Sequence, residues 1–289
     1  MMEKERSYKK LLEYGKARLQ ESEIEEYALD AWLLLEYVFQ ISRTWYFVHE
    51  DEMADTEKAE QYVEYIGLRS GHVPLQQLTG EAYFYGMRFY VNENVLIPRQ
   101  DTEVLVEEVL KLSRTVFSEE RRKALNILDV CTGSGCILLS LLSNLENATG
   151  TGVDLSEKAL KVAETNGKNL GIPARWVHSN LFDKVQGTYD MIISNPPYIK
   201  TSVIEELMDE VKFHEPKMAL DGKEDGLYFY REIIREAEQY LKEGGILAFE
   251  IGYDQGEAVS QLMEKQGYSQ VQVIQDLAGL DRCVTGIRK

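Results

Sequence analysis

Asn195-Pro196-Pro197-Tyr198 closes an apolar run through Ile192 and Ile193 and carries the side chains best suited to chemistry. Proline fixes φ, lacks an N–H and drives the preceding residue into an extended conformation. Asn195 is therefore expected to be extended, its amide pointing off a strand end, beside carbonyls with few local donors. A side-chain oxygen and a backbone oxygen so placed can each accept one hydrogen of a planar –NH2 group. A rigid loop after a core strand would use the same residues, so the upstream sequence decides between the two.

Upstream, Cys131-Thr132-Gly133-Ser134-Gly135 lies between a short apolar strand, 127–130, and an apolar helix, 136–145. Missing side chains at Gly133 and Gly135 would let a ligand approach the backbone. Asp154 ends a second strand about 20 residues on, where an acid commonly binds a ribose. Asn180-Leu181-Phe182 follows a third strand, 176–178. The third glycine of the dinucleotide fingerprint would fall on Leu138, and the turn has no Gly-Lys-[Ser/Thr]. The pattern is a nucleoside-binding site with no pyrophosphate cradle.

The elements that must position these residues alternate between strand and helix from residue 126 onward. A fourth strand over 189–194 ends at the Asn-Pro-Pro-Tyr stretch, a helix covers 226–241, and a fifth strand over 246–251 precedes a helix over 255–265. Two further strands, 271–274 and 283–287, close the chain. Alternation of this kind predicts an α/β fold whose mostly parallel sheet is covered on both faces. Ligands then bind at the carboxyl ends of the strands, where all the candidates fall. Residues 7–72 instead read as helices, over roughly 8–19, 28–39 and 56–68, rich in aromatics of core type. The β-prone runs 82–91 and 95–97, separated by Asn92-Glu93-Asn94, suggest a hairpin turning at those three residues. Asp101-Thr102-Glu103 reads as a helix start.

With 49 acidic against 32 basic residues in 289, the formal charge is −17. A protein bound through phosphate neutralisation normally shows a basic surface, so nucleic acid is a disfavoured partner and a basic protein an easier one. No run approaches the roughly 20 apolar residues of a membrane span, and the charged N-terminus has no signal-like apolar segment after it. Three cysteines form no paired framework and four histidines no metal spacing. A cytoplasmic, monomeric, metal-free protein is expected.

Together these residues resemble the class I S-adenosylmethionine-dependent methyltransferases, and more narrowly the HemK/PrmC protein-(glutamine-N5) methyltransferases of peptide-chain release factors. Further matching stretches are Pro74-Leu75-Gln76, Leu78-Thr79-Gly80-Glu81, Phe84-Tyr85-Gly86, Leu96-Ile97-Pro98-Arg99, Thr102-Glu103, Glu215-Pro216, Ala219-Leu220 and Glu250-Ile251-Gly252. Two positions depart from the pattern: Cys131 stands where glycine is usual, and Asn180 where an acid is common. The resemblance implies a seven-stranded Rossmann-like sheet over 99–289, an N-terminal helical substrate-docking domain over 1–80, and a hairpin linker over 81–98. It implies S-adenosylmethionine lined by Cys131, Thr132, Gly133, Ser134 and Gly135 at its methionine end, by Asp154 at the ribose and by Asn180 and Leu181 at the adenine. Asn195 and the Pro196 carbonyl would accept the two amide hydrogens of a glutamine, in a Gly-Gly-Gln motif, while Pro197 and Tyr198 complete the substrate site. Glu250 and the loop at His214-Glu215-Pro216 would shape the pocket. Asn-Pro-Pro-Tyr is shared with DNA and RNA adenine-N6 methyltransferases, which remain an alternative, as does a cofactor-binding module without turnover.

Overall fold

The computed structural model describes residues 6–289. Contacts divide the chain into two compact units, Met1–Gly80 with Met208–His214, and Glu81–Leu207 with Glu215–Lys289.

The first unit is helical: α1 (Tyr8–Glu21), α2 (Tyr27–Phe39), α3 (Arg43–His49), α4 (Thr56–Ser70) and α5 (Leu75–Thr79). Ser7, Ser42 and Asp55 cap α1, α3 and α4 by accepting from an N–H three residues on, which satisfies one of the orphan donors of each helix start. Its core is Leu11, Leu19, Leu34, Leu35, Tyr62 and Ile66, all nearly or fully buried. Buried Arg69 pairs with Asp30 at 2.7 Å and, at 3.0 Å, with Glu210 of the returning segment. Gln77 donates to the His214 carbonyl at 2.7 Å, and His214 Nε2 meets the Gly71 carbonyl at 3.1 Å.

The second unit opens with a hairpin, β1 (Glu81–Phe84) and β2 (Met87–Tyr90). The expectation of a turn at Asn92-Glu93-Asn94 with residues 95–97 as the returning strand is corrected here. The turn is Tyr85-Gly86, both in the left-handed region at φ +49° and +73°, the two-residue geometry that matches the twist of a hairpin. Glu103, opening α6 (Glu103–Val116), holds it by accepting from Tyr85 N–H at 2.7 Å.

After α7 (Glu119–Arg122) come β3 (Asn126–Val130), α8 (Cys136–Asn144), β4 (Thr149–Asp154), α9 (Glu157–Leu170), β5 (Arg175–His178) and β6 (Tyr189–Ser194). The helix α10 (Asp209–His214) belongs to the helical unit; then follow α11 (Lys217–Leu220), α12 (Tyr228–Tyr240), β7 (Leu241–Glu250), α13 (Gly256–Lys265), β8 (Ser269–Gln275) and β9 (Asp281–Ile287). The seven strands β3–β9 form one sheet in the order β5-β4-β3-β6-β7-β9-β8, parallel except for the pairs made by β9. Alternate residues feed two cores, as strand geometry requires. Ile127, Met191, Ile193 and Ala248 meet α6 and α8 on one face. Leu128, Ile192, Leu247 and Phe249 meet α12 and α13 on the other. Strand order reverses between β3 and β6, so the crevice for a ligand opens above their carboxyl ends.

Candidate active site

The turn after β3 is built for close approach. Cys131, Gly133 and Gly135 all have positive φ, +62°, +54° and +79°, and Gly135 leads directly into α8. Thr132 fixes the turn through its N–H on the Val153 carbonyl (3.0 Å) and its hydroxyl on Asp129 Oδ2 (2.6 Å). The two glycines differ in purpose. A Cβ at Gly133 would meet nothing within 4 Å, whereas one at Gly135 would come within 2.9 Å of Trp176 and 3.2 Å of Ala163. Gly133 leaves room for a ligand; Gly135 leaves room for the protein.

Asp154 ends β4 and turns towards the glycine turn. Its Oδ2 accepts from Gly133 N–H at 2.9 Å and its Oδ1 from Ser156 N–H at 2.8 Å. Each oxygen keeps a second lone pair. Burial pushes this carboxyl above the usual carboxylate range, and backbone donors pull it part of the way back. Ser156, not Asp154, accepts from the first-turn N–H of α9, at Ala159 (3.1 Å). Beneath the turn, burial pushes fully buried Asp129 up to about 7 against the pull of the Thr132 hydroxyl. Its Oδ1 has no partner among the described residues.

β6 ends at Ser194, whose hydroxyl donates to the Val130 carbonyl at 2.6 Å and ties the two central strands together where they open. Asn195 and Pro197 then join all of 131–134, Asp154, Asn180 and Leu181 on the wall of a single pocket. Among the described residues, the Asn195 side-chain amide has no hydrogen-bond partner. Gly135, Pro196 and Tyr198 are not among the residues that line the pocket. Tyr198 donates its hydroxyl to Glu250 Oε1 at 3.2 Å, and burial raises both groups. His214 packs with the helical unit, while Pro216 stays on the pocket wall.

The pocket also uses residues outside the expected set. Arg99 and Thr102 come from the stretch before α6, and Leu155 and Phe229 add apolar surface. Arg99 is anchored by an ion pair with buried Glu215 at 2.6 Å. Asn166 on α9 is fully buried: its Oδ1 accepts from Tyr90 N–H (2.7 Å) and its Nδ2 donates to the Tyr90 and Ser134 carbonyls (3.0 and 2.9 Å). It therefore fastens the hairpin to the glycine turn. The leucine and phenylalanine had no signal in the sequence, since apolar residues in helices and loops read as core. Arg99 had one, a cation directly after Pro98.

An acceptor-only carboxylate with spare lone pairs, an open glycine and apolar side chains fit a nucleoside with its sugar at Asp154 and its ring among Leu155, Leu181 and Phe229. Among the described residues, no group of three His, Cys, Asp or Glu side chains could hold a metal ion.

Comparison with known proteins matches residues 10–80 to the PrmC N-terminal domain and 102–220 to the Methyltransferase small domain. The chain is 39% identical to the release factor glutamine methyltransferase of Caulobacter vibrioides, across 95% of this chain and 94% of that protein. It belongs to the release factor glutamine methyltransferase family. The family member of Clostridium acetobutylicum is 37% identical, over 93% of this chain and 94% of that protein. In fold, the chain is similar to a crystal structure of a methyltransferase from Pyrococcus furiosus, with a TM-score of 0.50 at 18% identity, covering 70% of this chain and 89% of that one. The seven-stranded mostly parallel sheet is thus that of a Rossmann-like methyltransferase. Within the family frame, Cys131 is notable for holding a left-handed backbone without being glycine.

Proposed function

We propose that this chain transfers a methyl group from S-adenosylmethionine to the side-chain amide nitrogen of a glutamine in a peptide-chain release factor. The observation that carries the reading is the unpartnered Asn195 amide on the same wall as the Gly133 turn and Asp154. The relatives' names supply the class of acceptor.

Asp154 would accept from the ribose hydroxyls, the backbone of 131–135 would line the methionine end, and Asn180 and Leu181 would flank the adenine. Bound there, S-adenosylmethionine supplies a methyl group made electrophilic by positively charged sulfur. The rest is done by the chain. An amide nitrogen is a poor nucleophile because its lone pair is delocalised into the carbonyl. Asn195 Oδ1 and the Pro196 carbonyl would each accept one of its hydrogens, returning electron density to nitrogen and stabilising the positive charge that develops. Such preorganised contacts are worth about 3 kcal/mol each. Holding the nitrogen in line is worth roughly 7–11 kcal/mol, so orientation is the larger contribution. Asn195 is no general base, because a neutral carboxamide is far too weak to take the proton first. As the N–CH3 bond forms, the sulfur–methyl bond would break, leaving S-adenosylhomocysteine, and the proton would pass from the now cationic nitrogen to water. Pro197 forms wall beside it, and Tyr198 stiffens the end of the loop. The helical unit would serve docking, and the chain would act as a cytoplasmic monomer. Among the described residues, no helix is long and apolar enough to cross a membrane.

Incubation with a release factor and methyl-labelled cofactor, followed by peptide mapping, tests the reading: label is expected on one glutamine, and lost in Asn195→Ala. Cofactor binding without label on glutamine would sink it. Adenine methylation in nucleic acid, disfavoured by the charge of −17, would appear as label on added DNA or RNA.

A further inference from the structure

The loop that carries Asn195 and Pro196 is seated from behind at one residue, Tyr198, by groups with no part in the pocket wall. Gln255, just before α13 and buried, donates from Nε2 to the Tyr198 carbonyl at 3.0 Å and to the Gly226 carbonyl at 3.4 Å. Its Oε1 accepts from Gly252 N–H at 3.0 Å and lies 3.3 Å from the Tyr230 hydroxyl. Both ends of this amide are thereby committed, and a side chain held at four points cannot change rotamer without breaking several bonds. The loop is also backed by glycine. A Cβ at Gly222 would come within 2.7 Å of Tyr198 Cα and 2.9 Å of the Pro197 oxygen, and one at Gly226 within 2.5 Å of the Tyr198 oxygen. Two β-bridge bonds, Ile199 N–H to the Leu220 carbonyl (3.0 Å) and Gly222 N–H to the Ile199 carbonyl (2.8 Å), hold the same segment one residue on.

We propose that Gln255 is a positioning residue for methyl transfer: by gripping the Tyr198 carbonyl it fixes the peptide plane that ends the acceptor loop. That in turn fixes the direction in which the Asn195 and Pro196 oxygens face. The inference rests on the reading that these two oxygens receive the substrate amide. Gln255 touches none of the expected cofactor-binding residues, so its loss should act on turnover and leave cofactor affinity alone. A displacement of about 1 Å in a group that orients a substrate costs on the order of 100-fold in rate.

The test compares wild type, Gln255→Ala and Gln255→Glu on a glutamine-containing release factor, with cofactor affinity from calorimetry and folding from thermal denaturation. Gln255→Ala is expected to lower kcat on the order of 100-fold while the cofactor Kd moves less than about twofold. Gln255→Glu supplies the signature. Ionised, its carboxylate only accepts and repels the Tyr198 carbonyl; protonated, it regains one O–H donor. Its kcat relative to wild type should therefore recover as pH falls through the pKa of that buried acid, whereas the alanine variant stays low at every pH. Wild-type kcat in both variants, or a cofactor Kd that weakens in step with kcat, overturns the inference. Should the alanine variant fail to fold, the glutamate variant at two pH values decides alone. A wild type that binds cofactor yet leaves glutamine unlabelled removes the underlying reading, and the inference with it, and that outcome is distinct from active wild type with unaffected variants.

Discussion

At the amino ends of the central strands, Asp190 of β6 is met by Arg121 Nε, Lys242 Nζ and Asn126 N–H, all at 2.8–2.9 Å. At the carboxyl ends, Asp129 and Asp154 lie on neighbouring strands and accept hydrogen bonds only from neutral donors. The shifts follow the partners. Burial pushes Asp190 up, yet the Lys242 ammonium, the Asn126 N–H and the Arg121 guanidinium together hold it below its ordinary value. Burial wins at Asp129 and Asp154, which sit above theirs. The same side chain thus joins strand starts at one end of the sheet, where every charge is spent. At the other, Asp154 on the pocket wall retains unspent acceptor capacity that a hydroxyl-bearing, positively charged ligand could use.

The largest effect that would break this contrast is at Asp154. Asp154→Ala should weaken cofactor binding about 100- to 10,000-fold, the loss of two hydrogen bonds to a charged acceptor at about 1.5–3 kcal/mol each. A calorimetric Kd unchanged by the substitution would remove Asp154 from the site. At the opposite end, Asp190→Ala should cost about 3 kcal/mol of stability, seen as a lower urea midpoint. That figure is at the lower edge for breaking a buried pair because Arg121 and Lys242 are partly solvated. Cofactor affinity in the folded protein should stay the same.

Asp129 sharpens the comparison through pH. Its native pKa, raised to about 7, exceeds the unfolded value near 3.9, so the native state binds the proton more tightly. Its stabilising contribution is complete below about pH 4 and is lost as pH rises through about 7. Asn at this position carries no such dependence. The stability of Asp129→Asn relative to wild type should therefore rise by on the order of 4 kcal/mol from pH 4 to pH 8. Parallel pH curves for the two proteins would contradict it. The smallest effect belongs to Cys131→Gly. Relief of a left-handed conformation at about 1–2 kcal/mol, less the added chain entropy of glycine at about 0.5–1 kcal/mol, leaves a gain of about 0.5–1 kcal/mol. It should appear as a slightly higher melting temperature.

Much of this contrast was legible in the sequence. Strand ends at 130, 154 and 194 could be read from apolar runs stopped by Cys131-Thr132-Gly133, Asp154 and Asn195-Pro196, because those residues break a strand by composition. The paired order of the strands could not, since β9 inserts between β7 and β8 through contacts remote in the chain. The sequence misplaces the hairpin because its turn puts Tyr85, not a turn-type residue, in the left-handed region, whereas Asn92-Glu93-Asn94 makes a turn, closed by Val95 N–H on the Asn92 carbonyl at 3.3 Å, that leads into no strand. In sequence Gly135 reads as space for a ligand, and only packing reveals that Trp176 lies against it. The short helices α3 and α5 have too few residues to show a period, though Ser42 marks the start of α3. Asn166 and Gln255 were invisible for a general reason: a buried amide on or beside a helix looks in sequence like any surface polar residue.

Residues 208–214 interrupt the methyltransferase core in sequence yet pack with the helices that precede it. Modular exchange inherits a rule from that arrangement. A recombination event joined at residue 80 would set one parent's Arg69 and Gln77 against another parent's residues 210 and 214, so a working chimera has to inherit two separate segments together. The helical unit is a single body assembled from two places in the gene, and its evolutionary history is tied to the enzyme it accompanies.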